Sequence, residues 1–209
     1  MTNPLLMQTS LPQFSSITPE LVAPTIDQLL AQNRETIAAL AHQPSPTWQS
    51  LPAQLEELDD SLSKAWSIVS HLNAVTNSPA WREAYNGCLA KISAYYTELG
   101  QNADLYNSYQ SLADSAEFEQ LNQAQRQAIN NALRDFKLSG VALPTEQKQR
   151  FAAIEERLSA ICAKFADNLL DATQAWHKEL SPEELKGIPV ANQGLLAQLA
   201  QQRGLTGHI

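Results

Sequence analysis

The sequence contains little glycine, little valine and little cysteine, and these shortages restrict the fold. Of its 209 residues only seven are glycine and five are valine, whereas alanine and leucine each occur 29 times. Alanine and leucine favour helices, and β-branched residues such as valine favour strands. A chain of this length can bury a good-sized core without disulfides or a structural metal. We therefore expect an all-α fold.

The two cysteines, Cys88 and Cys162, are too few for a disulfide framework. Both fall in helical apolar patterns, where a free thiol behaves as a small buried hydrophobe. Buried thiols are chemically inert unless a charged neighbour activates them. The sequence accordingly predicts two buried cysteines and assigns neither of them a redox or catalytic role.

Basic side chains are also scarce, since 14 lysines and arginines stand against 22 acidic residues and the formal charge is -8. An acidic surface repels the phosphate backbone, so we expect no nucleic-acid partner. No apolar run approaches the ~20 residues of a membrane span, and the first residues lack the basic and apolar regions of an export signal. We expect no membrane insertion and a cytoplasmic location.

Proline positions and apolar spacing divide the chain into three segments. Residues 1–18 combine prolines with several leucines, which predicts an extended arm that packs along the body. Residues 19–180 are predicted to form a helical domain of long antiparallel helices, and residues 181–209 are interpreted as the truncated start of a following segment. Helices are expected at about 19–41, 51–72, 79–100, 103–115, 122–138, 145–180 and 191–202.

The clearest helical pattern lies near the end of the helical domain. At 100° per residue, eight apolar side chains fall within an arc of about 80°: Phe151, Ile154, Leu158, Ile161, Phe165, Leu169, Ala172 and Trp176. A helix over 145–180 would be about 54 Å long. Such a length favours an elongated wall over a compact bundle.

Motifs for metal and nucleotide chemistry are missing from the sequence. The four histidines are His42, His71, His177 and His208. None has a second histidine four residues away, which a helical zinc site requires. None has a carboxylate three residues before it, which a di-iron bundle requires. Glycine-rich phosphate loops and the Gly-x-Ser-x-Gly elbow are also missing. The residues themselves therefore indicate no catalytic, cofactor-binding or metal-binding position.

Two weaker constellations have ordinary structural interpretations. Glu56 and Asp60 lie one helical turn apart, but His71 lies about 16 Å farther along the axis, so a solvated acidic face is favoured over a shared site. We expect His71 to bond a neighbouring loop or helix end rather than transfer protons. Tyr106 and Tyr109 could line a peptide groove, although packing between helices is the favoured use.

Four separate blocks, in order along the chain, resemble one family. The resemblance rests on Met1–Leu6 (MTNPLL), Ser70–Asn73 followed by Asn77–Pro79, Asn131–Gly140 (NALRDFKLSG) and Asn168–Thr173 (NLLDAT). Each block alone is a generic helix segment, but together they are similar to the amino-terminal region of the thimet oligopeptidase family of zinc metallopeptidases. The resemblance extends over nearly the whole chain.

This resemblance implies a longer, mostly helical enzyme whose two lobes flank a deep channel with zinc at its floor. In such enzymes a His-Glu-x-x-His helix and a downstream glutamate bind the zinc, and the first glutamate acts as general base. This sequence has none of those residues, so no catalytic position is carried over. The chain would then be an inactive amino-terminal fragment, a channel wall that selects short peptides by size, with the carboxy-terminal catalytic lobe and the peptides as its partners.

Two other functions remain open at this point. One is a non-catalytic helical adaptor that binds peptides or partner helices. The other is an independent enzyme whose site is assembled across the bundle, for which the sequence provides no ligand spacing. The coding sequence that follows would discriminate these hypotheses, because only the oligopeptidase hypothesis requires a downstream His-Glu-x-x-His.

Overall fold

The computed structural model describes residues 3–7 and 11–209, and within these ranges it contains helices and turns but no strand. The all-α prediction is confirmed. Short 3₁₀ turns cover Pro4–Leu6, Phe14–Ser16 and Pro19–Leu21. The α-helices of the described part are α1 (Val22–Leu40), α2 (Pro52–Thr76), α3 (Pro79–Gly100), α4 (Ala103–Ala113), α5 (Ala116–Gln120), α6 (Gln123–Leu138), α7 (Thr145–Ala175) and α8 (Val190–Gln202).

Helix α6 shows how local sequence sets the helix bounds. At its start the Gln125 N–H donates to Asn122 Oδ1 at 2.9 Å, and the Asn122 N–H donates to Gln125 Oε1 at 3.1 Å, which is a capping box. At its end Gly140 adopts a φ of 83°. The Val141 N–H then donates to the Phe136 carbonyl at 3.0 Å. A left-handed glycine that satisfies the last carbonyls is a common helix stop.

Two helix predictions need correction. Helix α7 ends at Ala175 rather than near residue 180, so its 31 residues extend about 47 Å instead of about 54 Å. After Ala175 the chain is not helical, and five residues farther along the Leu180 N–H donates to the His208 carbonyl at 2.9 Å. The short helix α5 was not predicted.

The chain divides into two compact units, Met1–Ile161 and Cys162–Ile209. In the first unit α1 packs against both α2 and α3, α2 packs against α3, and α4 packs against α6. In the second unit Ala200 of α8 is buried, and Gln193 Nε2 donates to the Ile188 carbonyl at 2.8 Å. The domain boundaries predicted at residues 18 and 180 stay predictions.

The core of the first unit is a continuous apolar cluster with a few aromatic and polar contacts. The rings of Trp66 and Tyr85 stack with centroids 4.7 Å apart, which joins α2 to α3. The buried Asn33 side chain donates to the Tyr95 hydroxyl at 3.3 Å and joins α1 to α3. The largest fully buried apolar side chains are Ile26, Leu51, Leu62, Leu105, Leu112 and Ile129.

The predicted arm is described only in part, because residues 1, 2 and 8–10 lie outside the described residues. Leu5 and Ile17 are buried, whereas Leu11 and Phe14 are exposed. The Phe14 ring lies 5.2 Å from the ring of His71 on α2, centroid to centroid. His71 therefore contacts the amino-terminal segment through its ring, rather than through the hydrogen bond to a loop or helix end that the sequence suggested.

Helix α7 differs from the other long helices in its exposure. The structure describes all of its residues, and none of them is buried. Ile154, Leu158 and Ile161 in the first unit are each more than half exposed, and so are Phe165 and Leu169 in the second unit. The apolar pattern is therefore present as predicted, but this side of the helix is not buried.

The same observation corrects one cysteine prediction. Cys88 on α3 is buried, and burial raises the pKa of its thiol. Cys162 on α7 is exposed, so its predicted burial is wrong. Its helical apolar pattern identified a face that could be buried, but helix α7 buries no residue.

Among the residues that the structure describes, no helix combines the length and apolar character required to cross a membrane.

Candidate functional site

The histidines and acidic residues do not assemble a metal centre in the described part of the chain. Within residues 3–7 and 11–209, no group of three or more His, Cys, Asp or Glu side chains is placed to hold a metal ion. His42 Nδ1 lies 2.9 Å from the Ala38 carbonyl one turn earlier, and its Nε2 lies 3.8 Å from Asp104. These are surface contacts, and they suggest no catalytic arrangement.

A cavity of about 510 Å³ lies in the first unit, where the α1–α2–α3 group meets the α4–α6 pair. Small-molecule sites commonly have volumes of roughly 300–1,000 Å³. Its aromatic lining consists of Tyr95, Tyr96, Tyr109 and Phe136, and its acidic lining consists of Glu56, Asp59, Asp60 and Asp135. The described residues that line it include no lysine, arginine or histidine. We call this space the acidic cavity.

Helical periodicity explains how the lining forms. On α2, residues Glu56, Asp59, Asp60 and Ser63 are spaced i, i+3, i+4 and i+7, so they share one helix face. On α6, residues Ala132, Asp135 and Phe136 repeat the same spacing, and on α4 Leu105 and Tyr109 lie one turn apart. Each helix thus presents a regular stripe, and the acidic cavity lies between these stripes.

The carboxyl ends of α3 and α6 approach closely beside the acidic cavity. A Cβ atom added to Gly100 would lie 2.6 Å from Ser139 Cβ, which is shorter than any ordinary contact. Both residues line the acidic cavity. Glycine is required at position 100 because the backbone of α3 comes so near to the residue that caps α6.

Most of the acidic lining is partnered. Asp60 forms an ion pair with Lys64 one turn along α2, and Asp135 forms one with Arg134. Asp59 Oδ1 accepts a hydrogen bond of 2.8 Å from the Tyr96 hydroxyl. Burial and this hydrogen bond raise the pKa of Tyr96 to about 12, so the phenol remains a neutral donor at physiological pH.

Two groups in the acidic cavity differ from the rest. Among the described residues no ion pair or hydrogen bond involves the Glu56 carboxylate, and none involves the Tyr109 hydroxyl. Tyr109 is only 7% exposed, and its ring packs against Phe136 with centroids 5.7 Å apart. Burial raises the pKa of Tyr109, and the negative charge of Glu56 raises it further. The carboxylate is therefore near enough to act electrostatically on the phenol.

The structure brings together some of the residues that the sequence singled out. Glu56 and Asp60 are exposed, as a solvated acidic face requires, and they also border the acidic cavity. Tyr109 lines the acidic cavity, but Tyr106 instead packs edge-on against Phe136 at 6.0 Å. His71 does not line it. The favoured prediction of helix packing is thus confirmed for Tyr106 and Tyr109, and the peptide groove stays a prediction.

Sequence reasoning assigned Asp59 to a solvated acidic face with Glu56, Glu57 and Asp60, and it did not single out Tyr95, Tyr96 or Phe136 as site residues. A signal was present for α2, since acidic residues at 56, 59 and 60 border the apolar stripe of one amphipathic helix. No comparable signal connects α2 to Tyr109, because Glu56 and Tyr109 lie 53 positions apart in the chain. The tertiary packing of α4 and α6 brings these positions together.

Known proteins of similar sequence place this chain in a family. Residues 26–148, more than half of the chain, match the family described as Neurolysin/Thimet oligopeptidase, N-terminal domain. Over its full length the chain is 45% identical to Oligopeptidase A of Haemophilus influenzae and 43% identical to Oligopeptidase A of Escherichia coli. It covers 31% of each of those proteins.

A plant protein extends the comparison beyond bacteria. The Probable cytosolic oligopeptidase A of Arabidopsis thaliana is 31% identical over 204 residues, which are 97% of this chain and 29% of the plant protein. The chain therefore spans about a third of the length of the relatives that it matches. The family resemblance drawn from four sequence blocks is confirmed, and the chain belongs to the neurolysin/thimet oligopeptidase family, in which it corresponds to the N-terminal domain.

Proposed function

We propose that this chain is the amino-terminal helical part of a zinc metallo-oligopeptidase that hydrolyses peptide bonds in short peptides. The observation that carries the proposal is identity of 43–45% across the whole chain to two proteins named Oligopeptidase A. The matches cover about a third of those proteins, so the proposal assigns the peptidase reaction to a longer polypeptide. This chain contributes a structural part of that polypeptide.

The zinc site belongs, in this proposal, to another part of the longer polypeptide. The sequence contains no His-Glu-x-x-His, and the described residues hold no cluster that fits a zinc ion. Zinc in such a peptidase polarises the scissile carbonyl and lowers the pKa of bound water. The 209-residue chain alone is therefore proposed to be inactive as a peptidase.

The proposed mechanical role is that of a channel wall that selects substrates by size. Three helices are long enough for such a wall, since α2, α3 and α7 contain 25, 22 and 31 residues and extend about 38, 33 and 47 Å. A rigid wall on a narrow channel admits short unfolded peptides and excludes folded proteins. Selection would then depend on geometry, and the chemistry would occur elsewhere in the polypeptide.

The proposed partners are short peptides and the carboxy-terminal catalytic lobe of the same polypeptide. The exposed apolar side chains of α7 support the second partner, because exposed apolar residues at helical spacing are typical of surfaces that pack against further protein. For location we propose the cytoplasm, which agrees with the name of the cytosolic plant relative.

The test uses the coding sequence and a cleavage assay. The reading frame that continues past Ile209 should encode His-Glu-x-x-His, and the longer polypeptide should cleave a quenched fluorescent peptide of about ten residues while leaving a folded protein intact. A chelator should abolish the cleavage, and zinc should restore it. The 209-residue chain alone should release no fluorescence.

The opposite results would favour the other hypotheses. A stop codon directly after Ile209 would contradict the oligopeptidase proposal and favour the helical adaptor. Zinc-dependent cleavage by the 209-residue chain alone would also contradict it, because the site would then lie within this chain.

A further inference from the structure

The acidic cavity contains an acceptor and a hydroxyl that the fold itself does not use. The Glu56 carboxylate has no ion-pair or hydrogen-bond partner among the described residues, although Asp60 and Asp135 beside it are both paired. The Tyr109 hydroxyl also lacks a hydrogen-bond partner there, although its residue is more than nine-tenths buried. Neither oxygen belongs to the fully buried atoms without a partner, so both are accessible to solvent at the acidic cavity and available to a ligand.

The electrostatics of the acidic cavity favour a cation. Four carboxylates line it and no basic side chain does, among the residues that the structure describes. Ion pairs neutralise Asp60 and Asp135, and the Tyr96 hydroxyl donates to Asp59. Glu56 is left as the exposed carboxylate of the lining without an ion-pair partner among the described residues, so a cationic ligand would meet no competing ion pair there. The net charge of -8 adds a long-range attraction for cations.

The shape and lining indicate what kind of cation would fit. Apolar side chains such as Leu55, Leu99 and Leu105 line the cavity together with aromatic rings. A ligand with an apolar stem and a planar cationic head matches both surfaces, because the stem covers leucine and the head stacks on aromatic faces. A small inorganic cation would leave the apolar lining without contacts.

We propose that the acidic cavity binds an arginine side chain of a short peptide, with its guanidinium donating to the Glu56 carboxylate and to the Tyr109 hydroxyl. The Tyr95 and Phe136 rings would line the space that the apolar stem and the guanidinium head of the arginine occupy. Binding of short peptides is part of the proposed function, on which this inference rests, and arginine selection at this position is the new element. The site performs binding and no bond cleavage.

Isothermal titration of the 209-residue chain with acetyl-Leu-Arg-amide tests the proposal directly. The matched ligand is acetyl-Leu-citrulline-amide, which keeps the shape of arginine and removes its charge. We expect saturable binding of the arginine peptide and at least tenfold weaker binding of the citrulline peptide, because hydrogen bonds between charged groups are the strong ones. Equal affinity for the two ligands would overturn the proposal.

Matched variants locate the binding. Glu56→Gln should weaken the arginine peptide about fivefold, whereas Glu57→Gln should leave its affinity unchanged, since Glu57 is exposed on the same helix and does not line the acidic cavity. Tyr109→Phe should weaken it about threefold without loss of helical circular dichroism, because only a hydroxyl is removed. Equal effects of the two glutamate variants would contradict the assignment.

A second arm separates peptides in solution from the rest of the polypeptide as the occupant. The longer polypeptide should bind acetyl-Leu-Arg-amide as the 209-residue chain does. If only the 209-residue chain binds it, another segment of the longer polypeptide fills the acidic cavity, and the proposal is overturned. The peptidase assay tests the proposed function independently of that result. Cleavage of short peptides without arginine selection would likewise contradict this inference and leave the proposed function intact.

Discussion

Helices α6 and α7 follow one another in the chain and both carry an apolar stripe, yet they have opposite surroundings. Helix α6 buries Ile129, Leu133 and Phe136 beneath α4 and beside the acidic cavity. Helix α7 is nearly twice as long and buries none of its residues, all of which the structure describes. An amphipathic pattern therefore predicts which face of a helix can be buried, but not whether another segment of the described chain packs against that face.

The largest expected effect tests whether this difference is energetic as well as geometric. Ile129→Ala should lower the free energy of unfolding by about 3 kcal/mol, because it leaves a cavity in a fully buried site. Leu158→Ala on α7 should change it by less than about 0.5 kcal/mol, because that side chain is half exposed. Urea denaturation of both variants measures the contrast. Equal losses would mean that the face of α7 is covered in solution.

The next effect tests the close approach of α3 and α6. Gly100→Ala should cost about 2 kcal/mol, because the new methyl group would overlap Ser139. Gly87→Ala in the same helix should instead stabilise by roughly 0.5–1 kcal/mol, since nothing lies within 4 Å of its added Cβ and alanine is the better helix former. Thermal unfolding of the pair gives the sign of each change. If both variants were stabilised, α3 and α6 would not be in contact at this point.

A smaller effect tests how far local capping, rather than packing, supports α6. Asn122→Ala should cost about 1 kcal/mol because it removes the acceptor for the Gln125 N–H. This is less than the loss expected for Ile129→Ala, as it should be if tertiary burial is the main source of helix stability. The measurement is again urea denaturation, with Asn122→Ser as the control that retains a capping oxygen. A larger loss for the cap than for the core would reverse this ranking.

The smallest effect concerns the ionisation of the Tyr96 phenol, which lines the acidic cavity. Because the pKa of Tyr96 is raised to about 12 in the folded chain, folding favours the neutral phenol. The resulting stability is fully present below the unfolded pKa near 10 and is lost as the pH rises from there through about 12. Ultraviolet titration of Tyr96→Phe against the parent chain should remove a transition near pH 12. Loss of a transition near pH 10 instead would show that neither burial nor the hydrogen bond to Asp59 raises the pKa of Tyr96.

The helices and most of their ends were predictable because their determinants are local. Ser78 accepts a hydrogen bond from the Trp81 N–H at the start of α3, and Pro79 occupies the first turn, as the sequence indicated. Gly140 ends α6 in the same predictable way. The end of α7 was predicted too late, because the apolar spacing continues past it to Trp176 and neither glycine nor proline stands at residues 175–180.

The candidate site was predictable only in fragments. Periodicity placed Glu56 and Asp60 on one face and identified Tyr109 as a residue that could line a groove. It did not connect them, since their proximity depends on how α4 and α6 pack beside α2. For Cys162 the same limitation produced an error, because a local pattern contains no information about which distant segments pack against the helix.

The sequence by itself determined the helical class, most helix bounds, the acidic surface and the family, because composition, caps and ordered sequence blocks are properties of neighbouring residues. The tertiary structure alone decided that Glu56 and Tyr109 line one cavity and that the apolar side chains of α7 stay exposed. Both outcomes depend on which distant segments pack together, and packing partners are selected by the shape and burial of the whole fold.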